Sequence, residues 1–444
     1  MAAPDRPMMK LNLFINPTGH HQAAWRHPDS QADAGVNLGH YVELAQLAET
    51  AKIDAIFLAD NQNVRHGDPE AIGRVAQYVA NFEPLTLLSA LSAVTRHIGL
   101  VATASTTFNF PYQVARKFAS LDHLSGGRAG WNIVTSAAIS REDLNFGGAP
   151  NDPAERYERA SEFVEICRGL WDSWDDDAFP RDRPSGIFSD MGKLHVLDHQ
   201  GKHFSVRGPL NVPRSPQGYP VHVQAGASDA GRDFAARYAE MVFVTPQTLE
   251  RAQAQYADTK ARAAAHGRNS DHIKIMPGLA PVVGRTEAEA REKFEELQSL
   301  LTLPVALNIL SMRMGGMDLG RFDLDKPFPE IGPVASPGAE AMMDRSRLEG
   351  LTVRQLAMKT AGSLAGLSLH GSAAEIVDLM EDWFRKGACD GFNLQPAILP
   401  GTFRDIVDLV LPELRRRGLF RTEYEGRTLR ENLGLPRPAS RYAS

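Results

Sequence analysis

Hydrophobic and polar positions follow two alternating patterns along this chain. Short, mainly apolar runs span Leu11 to Ile15, Ala55 to Ala59, Ile98 to Ser105, Ala129 to Val134, Val221 to Ala225, Met241 to Thr245, Ile273 to Val283 and Phe392 to Ile398. Mainly apolar runs of this length, rich in Val and Ile, suit strands covered on both faces, as parallel strands are. Between them apolar residues recur every three or four positions. Leu44, Leu47, Ala48 and Ala51 fall on one helical face, as do Phe163, Ile166, Cys167 and Leu170, and again Ile376, Leu379, Met380 and Trp383. Thr286 with Glu289 and Ser372 with Glu375 have capping-box spacing, and Gly126-Gly127 supplies a helix stop. Eight strands separated by helices predict an α/β fold, a (β/α)8 TIM barrel, as a single domain over residues 1–444.

Two stretches exceed a bare barrel. Residues 172–219 are long and rich in Pro, Asp and Gly. Residues 302–371, between the seventh and eighth strands, form the largest insertion, with Gly315-Gly316, Pro327, Pro329 and Pro333. Loops of this length read as lids or binding loops. The composition of the second argues against a barrel strand or one long helix and for a lid over the barrel mouth. A tail from about residue 420 to 444, with Arg and Pro, is expected to wrap a neighbouring surface.

Composition narrows the class. With 43% hydrophobic and 23% charged residues the chain reads as a globular enzyme, and a net charge of −6 argues against a dedicated nucleic-acid or membrane-surface binder. Two cysteines, Cys167 and Cys389, exclude a disulfide scaffold. No apolar run approaches the roughly 20 residues that span a bilayer, and Met1 to Lys10 lacks a signal peptide's apolar core, so a cytoplasmic location is expected.

A barrel of this type reacts at the C-terminal ends of its strands. Polar residues that fall there are Asn16, His20, His21 and Trp25 after the first strand, Asp60 after the second, and Thr103, Ser105, Thr106 and Thr107 after the third. Asn132, Thr135 and Ser136 follow on the fourth, and Gln224, Gly226 and Ser228 on the fifth. Ser228 opens a helix, where a hydroxyl and free backbone N–H groups make an anion site; taken alone it is equally an ordinary helix cap. Asp60 alone could be a solvated turn carboxylate. His20 and His21 have no third ligand at metal-binding spacing, so no metal is expected, and a loop pair of this kind is either surface or catalytic. No nucleophile elbow and no phosphate-cradling Gly-Lys-Ser/Thr loop occur. These residues point to a barrel enzyme that binds an anionic ligand.

Ala119 through Ser136 (ASLDHLSGGRAGWNIVTS) resembles the signature of the bacterial luciferase-like flavin monooxygenases, in the branch of nitrilotriacetate monooxygenase component A and dibenzothiophene sulfone monooxygenase. Ala24-Trp25-Arg26-His27, Glu155-Arg156-Tyr157, Leu170 to Trp174, Val206 to Gly218 and Phe420 to Tyr424 extend the likeness over most of the chain. The resemblance implies a monooxygenase that takes FMN as FMNH2 from a separate NAD(P)H-dependent flavin reductase, by diffusion. It would use O2, through a flavin peroxide, to oxidise and cleave a small organic substrate at a C–S, C–N or C–C bond. It also implies a homodimer or homotetramer. The family's flavin contacts carry over onto Asp60, Thr106, Tyr157 and Ser228, the last two at the phosphate. Trp25, Asn132, Ser136 and Gln224 are possible cofactor or substrate contacts, and His20 or His21 a possible acid or base. Where relatives often have a histidine four residues before the tyrosine, this chain has Pro153. Alternatives on the same barrel are a deazaflavin-dependent oxidoreductase, a non-catalytic flavin-binding protein, and an aldolase or isomerase; the last lacks an evident strand-end Lys.

Overall fold

A computed structural model describes residues 8–64, 67–136, 142–148, 152–329, 337–363 and 366–443. All eight expected strands form: β1 (Lys10–Phe14), β2 (Ala55–Leu58), β3 (Gly99–Ser105), β4 (Ala129–Val134), β5 (Val221–Gln224), β6 (Met241–Val244), β7 (Lys274–Gly284) and β8 (Gly391–Leu394). Every neighbouring pair is parallel, and β8 returns to β1 with Lys10 opposite Gly391, which closes the barrel. The strands are almost wholly buried because helices cover them outside and side chains fill the lumen. The helix Pro111–Ser125 stops at Gly126 and Gly127, both at positive φ. Ser372 and Glu375 complete a reciprocal cap; at the other expected cap Glu289 reaches the Arg285 N–H instead of that of Thr286.

β7 is longer than its neighbours. Its Gly278 and Leu279 meet β8, and Leu279 to Gly284 continue past the ring, where Leu367–Ser372 pairs with them in parallel. The insertion therefore does add a strand to the sheet, outside the closed ring. An uncovered β7 edge would leave backbone N–H and C=O groups unpaired, which explains the addition. Among the described residues of the insertion three helices, Leu303–Arg313, Pro337–Leu348 and Val353–Gly362, surround a hydrophobic cluster that contains Leu310, Phe328 and Leu356. Ala23, from the loop after β1, belongs to the same cluster and anchors the insertion at the mouth.

One expectation needs correction. Residues 172–219 join the end of the Pro153–Trp171 helix to the start of β5, so they lie at the N-terminal base and cannot be a lid on the mouth. The tail packs beneath its own barrel. Leu429, Leu433 and Leu435 join Val101, Val221 and Met276 in the lumen, and a Cβ at Gly99 would overlap Leu429. Tail and 172–219 segment hold each other: Arg214 donates to the Pro438 carbonyl at 2.7 Å, and His195 stacks on Tyr442 at 4.1 Å. No helix among the described residues is long and apolar enough to cross a membrane.

Candidate active site

The C-terminal end of β5 leads into the helix Asp229–Tyr238. Its cap is Ser228, whose exposed side chain accepts the Gly231 N–H at 3.1 Å. The first-turn amides of a helix have no partner within it, so this end carries free donors and partial positive charge. Tyr157, one turn into the Pro153–Trp171 helix, reaches the same place: a Cβ built at Gly231 would lie 2.6 Å from Tyr157 Oη. A side chain at position 231 would force Tyr157 or the Gly226 backbone, 3.0 Å from the same point, to move away. Residues 71 positions apart in sequence thus place two hydroxyls at one helix start. Pro153 is the first residue of its helix and offers no donor. A cavity of about 510 Å³ adjoins this point, lined by Gly226, Ala227 and the guanidinium-bearing Arg232 and Arg251. Gln224, buried, accepts the Gly226 N–H.

Asp60 lies two residues past β2, half-buried, 3.4 Å from the Gln62 amide. Burial holds its carboxyl up at about 6, against the ordinary 3.8, with Glu83 and Glu142 adding in the same direction. The folded state binds this proton more tightly, so the group's contribution to stability is greatest below 3.8 and declines as pH rises through about 6. At pH 7 an ionised Asp60 burdens the fold by no more than about 3 kcal/mol. Asp60→Asn should therefore keep or raise the melting temperature at pH 7 and flatten the pH dependence of stability between 3.8 and 6. A lower melting temperature at pH 7 would mark Asp60 as structural.

The side chains after β3 and β4 largely bind one another. Thr106 is 1% exposed and donates to the Val134 carbonyl at 3.1 Å. Ser136 donates to Ser105 at 2.9 Å, and Asn132 to Thr103 at 2.8 Å. The Asn132 Oδ1 is buried without a partner, as are Asn393 Oδ1 and Gln395 Oε1 on and just past β8. Trp25 donates to the Arg74 carbonyl at 2.8 Å and so ties the post-β1 loop to the segment after β2.

His20 and His21 are both buried. Gly19 sits at φ +117 where a Cβ would collide with the Ala397 carbonyl, so the β1 loop packs tightly on the segment following β8. His20 Nδ1 faces the Pro396 carbonyl at 3.3 Å, which makes it the protonated nitrogen and leaves Nε2 as an unpartnered acceptor. Burial pushes His20 down to about 3 and His21 to about 4, so both rings are neutral at physiological pH. His21 Nδ1 accepts the Ala23 N–H at 3.2 Å and is committed to the loop. His20 lines a cavity of about 220 Å³ beneath the insertion's Leu303–Arg313 helix.

Residues 18–390 match the family model described as luciferase-like monooxygenase. The chain belongs to the luciferase-like monooxygenase family. This luciferase-like monooxygenase is 47% identical over 444 residues, 99% of each chain, to N-acetyl-S-(2-succino)cysteine monooxygenase of Bacillus subtilis (strain 168). It is 44% identical over 445 residues, 98% of each chain, to nitrilotriacetate monooxygenase component A of Aminobacter aminovorans. Its fold superposes with a TM-score of 0.83 on a riboflavin lyase crystallised with modified FMN and riboflavin, at 35% identity and covering 96% of both chains.

Within this luciferase-like monooxygenase the geometry gathers Tyr157 with Ser228, and separately places His20 across the barrel. Residues that sequence reasoning passed over also face the mouth: Gln22, Gln77 and Arg313 at the β1 cavity, and Arg232 and Arg251 beside Ser228. The cue for Arg313 was weak, because a basic residue in a helix's last turn reads first as a partner for the helix dipole.

Proposed function

We propose that this monooxygenase is the oxygenase component of a two-component system, which takes up FMN already reduced by a separate flavin reductase and uses O2 to cleave a C–S or C–N bond in a small organic substrate. The observation that carries the reading is the meeting of Ser228 and Tyr157 at an exposed helix start on the reactive face of the barrel. That cradle suits a phosphate. Ser228 and Tyr157 donate hydroxyl protons to it, with the free amides of the helix start behind them. The unpartnered buried oxygens of Asn132, Asn393 and Gln395 suit the N–H groups of a flavin ring. When bound, reduced FMN supplies the electrons that activate O2. Asp60 and Thr106 border the ring or its ribityl chain. His20 Nε2 is an available acceptor for a substrate proton, since its own proton is engaged at Pro396. The insertion 302–371 excludes water from the mouth as a lid. One of the relatives named above acts on a thioether and the other on an amine, which supports C–S or C–N cleavage here.

Oxygen uptake with a flavin reductase, NADH and FMN tests the reading. Substrate-dependent uptake in the presence of a thioether or tertiary amine is expected, with products mass-shifted by cleavage. Failure of reduced FMN to support any substrate-dependent uptake across sulfides, sulfones, amines and alkanes would refute it.

A further inference from the structure

Above β1 the fold presents a guanidinium with nothing to hold. Arg313 ends the Leu303–Arg313 helix, is exposed, and makes no hydrogen bond or ion pair among the described residues. Other cations of the same insertion are engaged: Arg347 by Asp344, Arg354 by Asp325 and Lys359 by Glu349. Arg313 lines the cavity of about 220 Å³ under its helix. Asn16, His20, Gln22 and Gln77 face this cavity from the barrel side, and Met312 from the helix. No carboxylate lines it among the described residues. His20 contributes no charge, because its ring is neutral. The cavity is therefore small, polar and singly positive, with His20 Nε2 and Gln22 Oε1 buried and unpartnered in its wall. β1 and β5 stand on opposite sides of the ring, so a phosphate at Ser228 lies across the mouth and cannot be the partner of Arg313.

We infer that Arg313 binds a carboxylate of the substrate, so that the reaction selects a small carboxylate-bearing thioether or amine over neutral sulfides, sulfones and alkanes. The inference rests on the monooxygenase reading for what happens next, but not for the binding itself. A guanidinium at the cavity's edge and neutral amides within it divide the work. Arg313 pairs bidentately with the carboxylate, while Gln22 and Gln77 orient the remainder over the barrel. The same group disfavours neutral ligands, which would desolvate it without replacing its water.

Calorimetric titration of the FMN-loaded protein with N-acetyl-S-(2-succino)cysteine, nitrilotriacetate and the methyl esters of both decides the matter. The acids should bind and the esters should bind far more weakly. Arg313→Gln should weaken binding of an acid by about tenfold to a hundredfold and leave the weak ester binding as it was, as expected for losing a charged hydrogen-bond partner. Arg313→Lys should retain part of the affinity. In turnover, Arg313→Gln should raise KM by more than it lowers kcat, with FMN affinity and melting temperature as checks that the fold is intact. Acids and esters binding alike, an unchanged acid affinity in Arg313→Gln, or no binding of either acid to the native protein would each overturn the inference. Carboxylate binding that survives while oxygen uptake fails would instead refute the monooxygenase reading and leave this one standing.

Discussion

Arg421→Met should lower the unfolding free energy by about 3–5 kcal/mol in urea titration, since it leaves a buried carboxylate without its cation. Arg421 Nη2 donates to Asp54 at 2.7 Å, and the two side chains are 1% and 0% exposed. The same nitrogen donates to the Asn432 carbonyl at 2.7 Å, while the other Asp54 oxygen accepts the Leu11 N–H at 2.8 Å. The pair thus links the tail to the starts of β1 and β2. Asp54→Asn combined with Arg421→Met should recover much of the loss, because the amide removes the stranded charge and keeps an acceptor for Leu11. Equal stability of Arg421→Met and the native chain would show that the pair is dispensable.

FMN should bind at least about a hundredfold more tightly than riboflavin, because a phosphate in the proposed Ser228–Tyr157 cradle would gain two or more charge-assisted hydrogen bonds worth about 1.5–3 kcal/mol each. Fluorescence titration of both flavins measures this directly. Tyr157→Phe with Ser228→Ala should shrink the FMN advantage while riboflavin affinity stays near its native value. Ser228→Ala alone also removes the cap on Gly231 and should cost about 1 kcal/mol of stability. Equal affinity for the two flavins would place the phosphate elsewhere.

The barrel was legible because parallel strands must be apolar on both faces, so each strand announced itself as a run, and observed strands begin or end within a few residues of those runs. The signature from Ala119 to Ser136 turns out to be chiefly architectural as far as Arg128. Asp122 accepts the Ala129 N–H at 3.0 Å and the Gln217 amide at 2.6 Å, and Arg128 donates to the Ile98 carbonyl at 2.7 Å, all away from the mouth. A motif can therefore identify a family while most of its residues do no chemistry. Tyr157 came only from resemblance, since nothing in local spacing joins it to Ser228; the contact exists through packing of two helices. The insertion was harder still. Leu303–Arg313 carries Pro304 in its first turn, where proline is tolerated, yet prolines there read as breakers. Its apolar residues Val305, Ala306, Leu307, Ile309 and Leu310 crowd together with no clean single face, so neither the helix nor the orientation of Arg313 could be read from period.

The tail that fills the lumen has a consequence for biosynthesis. β1 leaves the ribosome early, but its outer neighbour β8, the leucines beneath it and the cation for Asp54 all lie some hundreds of residues later, Arg421 being 367 positions from Asp54. Until residues 391–394 have been made β1 shows an unpaired edge, and until residues 421–435 follow the barrel floor is open to water. Closure thus comes late in synthesis and with high contact order, and the nascent chain is a natural client for chaperones during that interval.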